Sequence, residues 1–248
     1  MVQHSIEIIE SPFIIATGNR GKRDEFVELL DAFIDRTWTV HDRASFPGDL
    51  PRIEEDKPTF FENAIKKAVE TAVSTGCCAL ADDSGLEVDA LKGEPGVRSA
   101  RFAGEDATDE ENNRLLLQRL RGVEEPDRTG RFVAVVCLAL PNNEVARAIL
   151  TRRGVRYDDI HTEVAEDEGN LARVGDLVVV WFRGVLEGRI TTRPCGSSGF
   201  GYDPYFLVPS LDKCMGEMTL MEKNQISHRA MAVKKLVEFF TPQAQGFG

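Results

Sequence analysis

The chain has 248 residues, 42% apolar and 29% charged, with 30 Lys and Arg against 41 Asp and Glu for a net charge of −11. That length suits one large α/β domain, or two lobes sharing a sheet, and the acidic balance excludes the broad basic face of a nucleic-acid binder. A small anion is still within reach of a few local cations and backbone N–H groups. The five cysteines have no C-x-x-C spacing and the four histidines no H-E-x-x-H spacing. Reduced thiols, no zinc site, no membrane contact and a cytoplasmic location are the resulting expectations.

Residues 13–16 form a short apolar run, read as a buried strand. Over 19–35, Phe26, Leu29, Leu30 and Phe33 recur at helical spacing, which places 17–22 at a strand-to-helix joint. Residues 38–41 predict a second strand, followed by a polar loop through Glu54, Glu55 and Asp56. Thr59 and Glu62 make a T-x-x-E capping box for a helix whose buried side carries Phe60 or Phe61, Ala64, Ala68 and Ala72. Residues 77–81 read as the next strand, with Asp82 and Asp83 at its C-terminal end. A turn at 93–96 precedes a helix over 109–121. The apolar runs 132–140 and 145–150, joined by Pro141, Asn142 and Asn143, predict a β-hairpin. Residues 178–182 and 185–190 predict two more strands. Between them and Leu150, the charged segment 151–176 reads as a loop or insertion. A helix over 226–240 closes the chain, with Ser227 as its N-cap. The whole is read as a single domain over 12–241.

Four segments carry chemistry. Thr17, Gly18, Asn19, Arg20, Gly21 and Lys22 offer backbone N–H groups, a helix N-terminus and a cation to an anion. This is not a Walker A loop, because Arg23 stands where a magnesium-binding hydroxyl would be. Asp82 and Asp83 can hold a hard cation or deprotonate water, but adjacent strand residues face opposite ways, so only one can enter a given site; of the mixed and fully solvated cases the mixed one is favoured, with Asp83 catalytic. Glu54, Glu55 and Glu62 are the candidates for a second metal ligand. Phe200, Gly201, Tyr202 and Asp203 offer a ring for base stacking, close backbone approach and an acceptor. Lys223, His228 and Arg229 add donors near the last helix, unless they are simply exposed surface.

These motifs, quoted as Ala16-Thr-Gly-Asn-Arg-Gly-Lys22, Thr59-Phe-Phe-Glu-Asn-Ala64, Ala81-Asp-Asp-Ser-Gly-Leu86, Gly93-Glu-Pro-Gly-Val-Arg-Ser-Ala-Arg101, Gly199–Pro204 and Glu222-Lys-Asn-Gln-Ile-Ser-His-Arg229, resemble the inosine triphosphate pyrophosphatase family in the same order. The bacterial dITP/XTP pyrophosphatase branch is the nearer likeness. The resemblance implies an elongated α/β fold, a long mixed β-sheet with flanking helices and two lobes around a nucleotide cleft. It also implies Mg²⁺-dependent hydrolysis of ITP, dITP and XTP to monophosphate and pyrophosphate, by a homodimer. Residue by residue, it implies that 17–22 cradle the triphosphate and that Asp83 is proton acceptor and metal ligand. Glu55 becomes the second ligand, and Ser84 and Lys223 contact the nucleotide. Phe200, Gly201, Tyr202 and Asp203 hold the base, while His228 and Arg229 read the purine edge. A Maf-like pyrophosphatase and a nucleotide-binding regulator without turnover are the rivals.

Overall fold

The structure is a computed structural model that describes residues 13–31, 40–41, 45–46, 50, 52–152, 154–162 and 170–240. Three long antiparallel strands form its spine: β3 (Cys78–Val88), β4 (Thr129–Pro141) and β6 (Leu177–Ile190). On one side β1 (Phe13–Ile15) pairs in parallel with β3 and with β2 (Val40–His41). The free edge of β6 takes β5 (Leu171–Val174) near its start and β7 (Phe206–Val208) at its end, and β8 (Lys213–Cys214) extends β7. The result is an eight-stranded mixed sheet.

Alternation along the strands sorts the core into two faces. Cys78, Leu80, Val136, Leu138, Val178 and Val180 face α1 (Arg20–Asp31), α4 (Glu144–Arg152) and α6 (His228–Phe240). Ala79, Ala81, Val135, Cys137, Val179 and Trp181 face α2 (Phe60–Thr75). Alanines on both sides of that contact, including Ala64, Ala68 and Ala72, bring helix and sheet close together. Beyond them the same strands enter a second lobe. There Leu86, Val88, Phe132 and Leu186 pack on Leu116 and Leu120 near the end of α3 (Asp109–Arg119) and on Tyr202, Phe206 and Met215. The cleft lies where the spine passes from one lobe to the other.

Local signals set the helix ends. Thr59 accepts from the Glu62 N–H, and Gly76 (φ 68°) closes α2 in the left-handed conformation. Ser227 Oγ accepts from the Ala230 N–H at 3.1 Å, separating α6 from α5 (Leu220–Ile226). Inside β6, Gly184 admits the start of α6, since a Cβ there would run into the His228 carbonyl oxygen.

Several sequence expectations are corrected. Residues 145–150 belong to helix α4, not to a hairpin strand; Asn143 Oδ1 accepts from the Ala146 N–H at 2.9 Å, and Ala146 and Leu150 fall on one buried face. The two strands expected at 178–182 and 185–190 are one strand. Arg183 and Gly184 interrupt the apolar pattern there, yet both keep their pairing with β4, opposite Val135 and Ala134. Asp82 and Asp83 lie mid-strand in β3, which continues to Val88 against β4. The segment 151–176 is no plain loop: Tyr157, Ile160 and Ala172 are core residues and β5 pairs with β6. Residues 163–169 lie outside the described residues, as do 32–35 of the expected first helix and 38–39 of the expected second strand. The expectation of reduced thiols holds for Cys77, Cys78 and Cys137, but Cys195 and Cys214 are joined by a disulfide (Cα–Cα 5.9 Å). Their linear spacing gives no sign that β8 returns beside the 195–204 segment.

Candidate active site

The joint between β1 and α1 is shaped by its own side chains. Thr17 Oγ1 accepts from the Asn19 N–H at 3.2 Å, and Asn19 Oδ1 accepts from the Lys22 N–H at 3.1 Å. Asn19 thus caps α1, while Gly18, Asn19 and Arg20 remain exposed at its positive end. Lys22 points from the first turn of α1 toward β3, with Nζ 3.2 Å from Asp82 Oδ2.

On β3 the two aspartates separate as alternation requires. Asp82 turns toward α1 and α6, where its Oδ2 receives Lys22 and, at 3.2 Å, Arg229 Nε. Burial opposes its charge, but Lys22, Arg229 and Lys67 outweigh it and hold the carboxyl well below the ordinary value. Asp83 turns toward α2. Its Oδ2 accepts from Asn63 Nδ2 at 3.0 Å, its Oδ1 accepts from the Ser84 N–H at 3.1 Å, and Lys67 Nζ stands 3.6 Å from Oδ1. Burial raises the Asp83 carboxyl to about 6; Lys67 and Lys22 pull it down, and Glu55 and Asp82 push it up again. A carboxylate in that range can accept a proton near neutral pH.

Lys67 also pairs with Glu55, so one ammonium joins the two carboxylates. Burial would lower its basicity, yet Asp83, Glu55 and Asp82 raise it. For Glu55, burial works against ionisation, but Lys67 and Lys22 keep its carboxyl below the ordinary value. Arg101 fixes the Glu55 backbone through Nη2 to its carbonyl oxygen at 2.7 Å, and its Nη1 stands 3.6 Å from Oε2. Glu62 is committed to the Thr59 cap, and Glu54 is exposed with its carbonyl bound by Lys66. Of the three candidate ligands, Glu55 alone is brought to Asp83.

Across the cleft, the 196–204 segment is held by its own turn. Asp203 Oδ2 accepts from the Phe200 N–H at 3.0 Å and from Lys223 Nζ at 2.5 Å. Gly199 (φ 84°) leaves space for that pair, since a Cβ would collide with both side chains. Gly201 is tied to α3 by Asp109 and Asn113, and the Tyr202 hydroxyl donates to the Ser99 carbonyl at 2.8 Å. Tyr202 is therefore an anchor in the second lobe's core rather than a displayed ring. Phe200 does face the first lobe, where a Cβ at Gly21 would strike its ring.

His228 stacks on Phe132 at 5.0 Å, and burial, reinforced by Arg229, holds its imidazole well below the ordinary value. Its Nδ1 has no partner among the described residues. Arg229 differs from the expectation of a guanidinium turned to a base. It is 1% exposed, and its donors go to Asp82, Glu25 and Ser84 Oγ (2.9 Å). Two buried carboxylates attract it more strongly than the open cleft does. In the sequence, Glu25, Asn63, Lys67 and Arg101 receive no site role, although Asn63 and Arg101 lie inside two of the quoted motifs. The available signal is Asn63 and Lys67 four residues apart beside the apolar stripe of α2.

Comparison with known proteins gives this arrangement its relatives. The Ham1 family profile matches residues 13–239. A protein named dITP/XTP pyrophosphatase from Desulforamulus reducens is 43% identical over 225 residues, covering 91% of this chain and 93% of that protein. One of the same name from Thermus thermophilus is 41% identical, covering 92% and 90%. Among solved structures, the Staphylococcus aureus Ham1 protein superposes with a TM-score of 0.67 at 34% identity, covering 92% of this chain and 97% of that one. A HAM1 protein from Coxiella burnetii gives 0.68 at 34% identity, with the same coverage. The chain belongs to the Ham1 family.

Proposed function

We propose that this chain is a nucleoside-triphosphate pyrophosphatase that converts ITP, dITP and XTP to the monophosphate and pyrophosphate with Mg²⁺. The relatives named dITP/XTP pyrophosphatase support the reaction and substrate class. The observation that carries the reading is Asp83, a buried carboxylate raised to about 6 near Lys22 and the exposed joint before α1.

The donor set fits a divalent metal. Asp83 and Glu55 converge on one cation, the Lys67 ammonium, which stands in for a metal ion's charge. Magnesium is commonly held by one or two carboxylates plus substrate phosphates and waters, so this pair is sufficient. Bound there, the metal would neutralise developing phosphate charge and orient water. The chain's own residues do the rest. Backbone groups of 17–21 and Lys22 hold the polyphosphate, and Asp83 accepts a proton from the water attacking the α-phosphorus. Asn63 fixes the Asp83 carboxylate, and Lys67 offsets the negative charge gathering between Glu55 and Asp83.

At the other end, Phe200 stacks on the base while Lys223, neutral His228 and Ser84 offer hydrogen bonds. A 6-oxo purine presents an acceptor where adenine presents an amine, so donors here favour inosine and xanthine. Arg229 holds Asp82 and Ser84 in place from behind the cleft. No helix among the described residues is long and apolar enough to cross a membrane. A cytoplasmic homodimer is part of the proposal.

Asp83→Asn tests it. Turnover of ITP should fall by roughly 10²–10⁴-fold, as expected for loss of a general base, while ITP still binds. Turnover near the wild-type rate would remove Asp83 from the mechanism.

A further inference from the structure

A cavity lies further along α2 than the residues that serve Asp83 and Glu55. Along α2 the buried polar residues Asn63, Lys67 and Thr71 succeed one another at four-residue intervals on the face toward the sheet. Asn63 and Lys67 serve the carboxylates, but the Thr71 hydroxyl makes no hydrogen bond to described residues. Thr71 lines a cavity of about 280 Å³, together with Thr17, Gly18, Ile53 and Arg52. From Lys67 to Thr71 is one helical turn, about 5.4 Å along the axis.

Three further features give this cavity its chemistry. Gly18 belongs to the exposed joint before α1, its N–H has no backbone partner among the described residues, and a Cβ there would meet nothing within 4 Å. Arg52 is exposed at the rim and makes no ion pair or hydrogen bond with described residues. Glu55, the carboxylate nearest to it in sequence that faces the site, is engaged by Lys67 and Arg101. In a chain of net charge −11, a guanidinium not engaged by any described residue, beside the Gly18 amide and a hydroxyl, is a local anion site.

We propose that this cavity receives the terminal phosphates of the substrate, with Arg52 as the residue that grips them and later retains the departing pyrophosphate. The inference rests on the pyrophosphatase reading and deepens it. With the scissile bond at Asp83, the two phosphates beyond it extend along α2 past Lys67 to Thr71, Gly18 and Arg52. The planar guanidinium can hold two phosphate oxygens at once, which a diphosphate substrate would not present at that depth. Arg52 then acts as a chain-length reader, lying outside the motifs by which the family is recognised.

The test is calorimetric binding of pyrophosphate and of IMP, with steady-state kinetics on ITP and IDP, for wild type, Arg52→Ala and Arg52→Lys. Arg52→Ala should weaken pyrophosphate binding and raise KM for ITP about tenfold or more, the scale of a lost charge-assisted contact. It should leave IMP affinity alone, raise KM for ITP more than it lowers kcat, and narrow the preference for ITP over IDP. Arg52→Lys should fall between, since it keeps the charge and loses the fork. Equal pyrophosphate affinity in wild type and Arg52→Ala overturns the inference, as does an equal loss of IMP binding. If wild type binds pyrophosphate through Arg52 yet releases none from ITP, the subsite stands and the pyrophosphatase reading fails.

Discussion

At the end of the candidate site proposed for the phosphates, the side chains stand mainly on regular elements and are held mostly by charge: Lys22 on α1, Asp82 and Asp83 on β3, Asn63 and Lys67 on α2. At the end proposed for the base, Phe200, Gly201, Tyr202 and Asp203 lie in an irregular segment held by hydrogen bonds to Asp109, Asn113, Ser99 and Lys223. The difference follows from the two tasks. Positioning water against phosphorus requires fixed charges in a poorly solvated place, which strands and helices provide. Distinguishing one purine from another requires a shaped pocket, which a glycine-bearing turn can form by close backbone approach. Arg229 joins the two ends, since it leaves the start of α6 beside His228 and binds the carboxylates of α1 and β3.

That joint gives the largest expected effect on stability. Arg229→Ala would leave Asp82 and Glu25 buried without their guanidinium, and such a break costs about 3–5 kcal/mol. Chemical denaturation should show it. A loss below about 1 kcal/mol, the scale of an exposed pair, would mean that Arg229 does not hold the ends together.

The next comparison separates the ends by function. Lys22→Ala should raise KM for every triphosphate tested, by about tenfold for one lost charge-assisted contact. Lys223→Ala should change the ratio of kcat/KM between ITP and ATP more than Lys22→Ala does, because it frees Asp203 and loosens the Phe200 turn. Identical ratios in the two variants would show that the division between ends is wrong.

A smaller effect comes from proton binding in metal-free protein. The Asp83 carboxyl is raised from its ordinary 3.8 to about 6, so the folded state binds this proton more tightly than the unfolded state. Its contribution therefore favours folding below the unfolded value and is lost as pH rises through the folded one. Denaturation in the presence of a chelator should show wild type losing stability relative to Asp83→Asn between about pH 4 and 6. Parallel curves would contradict the burial-driven shift.

Much of this is legible in the chain. The joint before α1, the Thr59 cap, the Ser227 cap and the opposite facing of Asp82 and Asp83 follow from local rules that neighbouring residues satisfy by themselves. The site residues come mostly from family resemblance, and in the structure Glu55 is separated from Glu54 and Glu62 by its position in space. Residues 145–150 mislead because a short apolar run serves a helix or a strand equally well; the arbiter is Asn143, whose cap signal lies just before it. Lys67 and Glu25 stay hidden because a lone charge beside an apolar stripe usually reaches solvent. Arg229 looks available to a ligand because nothing local records that Glu25, 204 residues away, meets it.

The central claim is the bond that breaks and the bases accepted, and product analysis tests it most directly. ITP, XTP, GTP and ATP would each be incubated with the enzyme, with and without Mg²⁺, and the products separated. Monophosphate and pyrophosphate are expected from ITP and XTP only when Mg²⁺ is present, with little from GTP or ATP. Diphosphate and orthophosphate, or equal turnover of ATP, would contradict it.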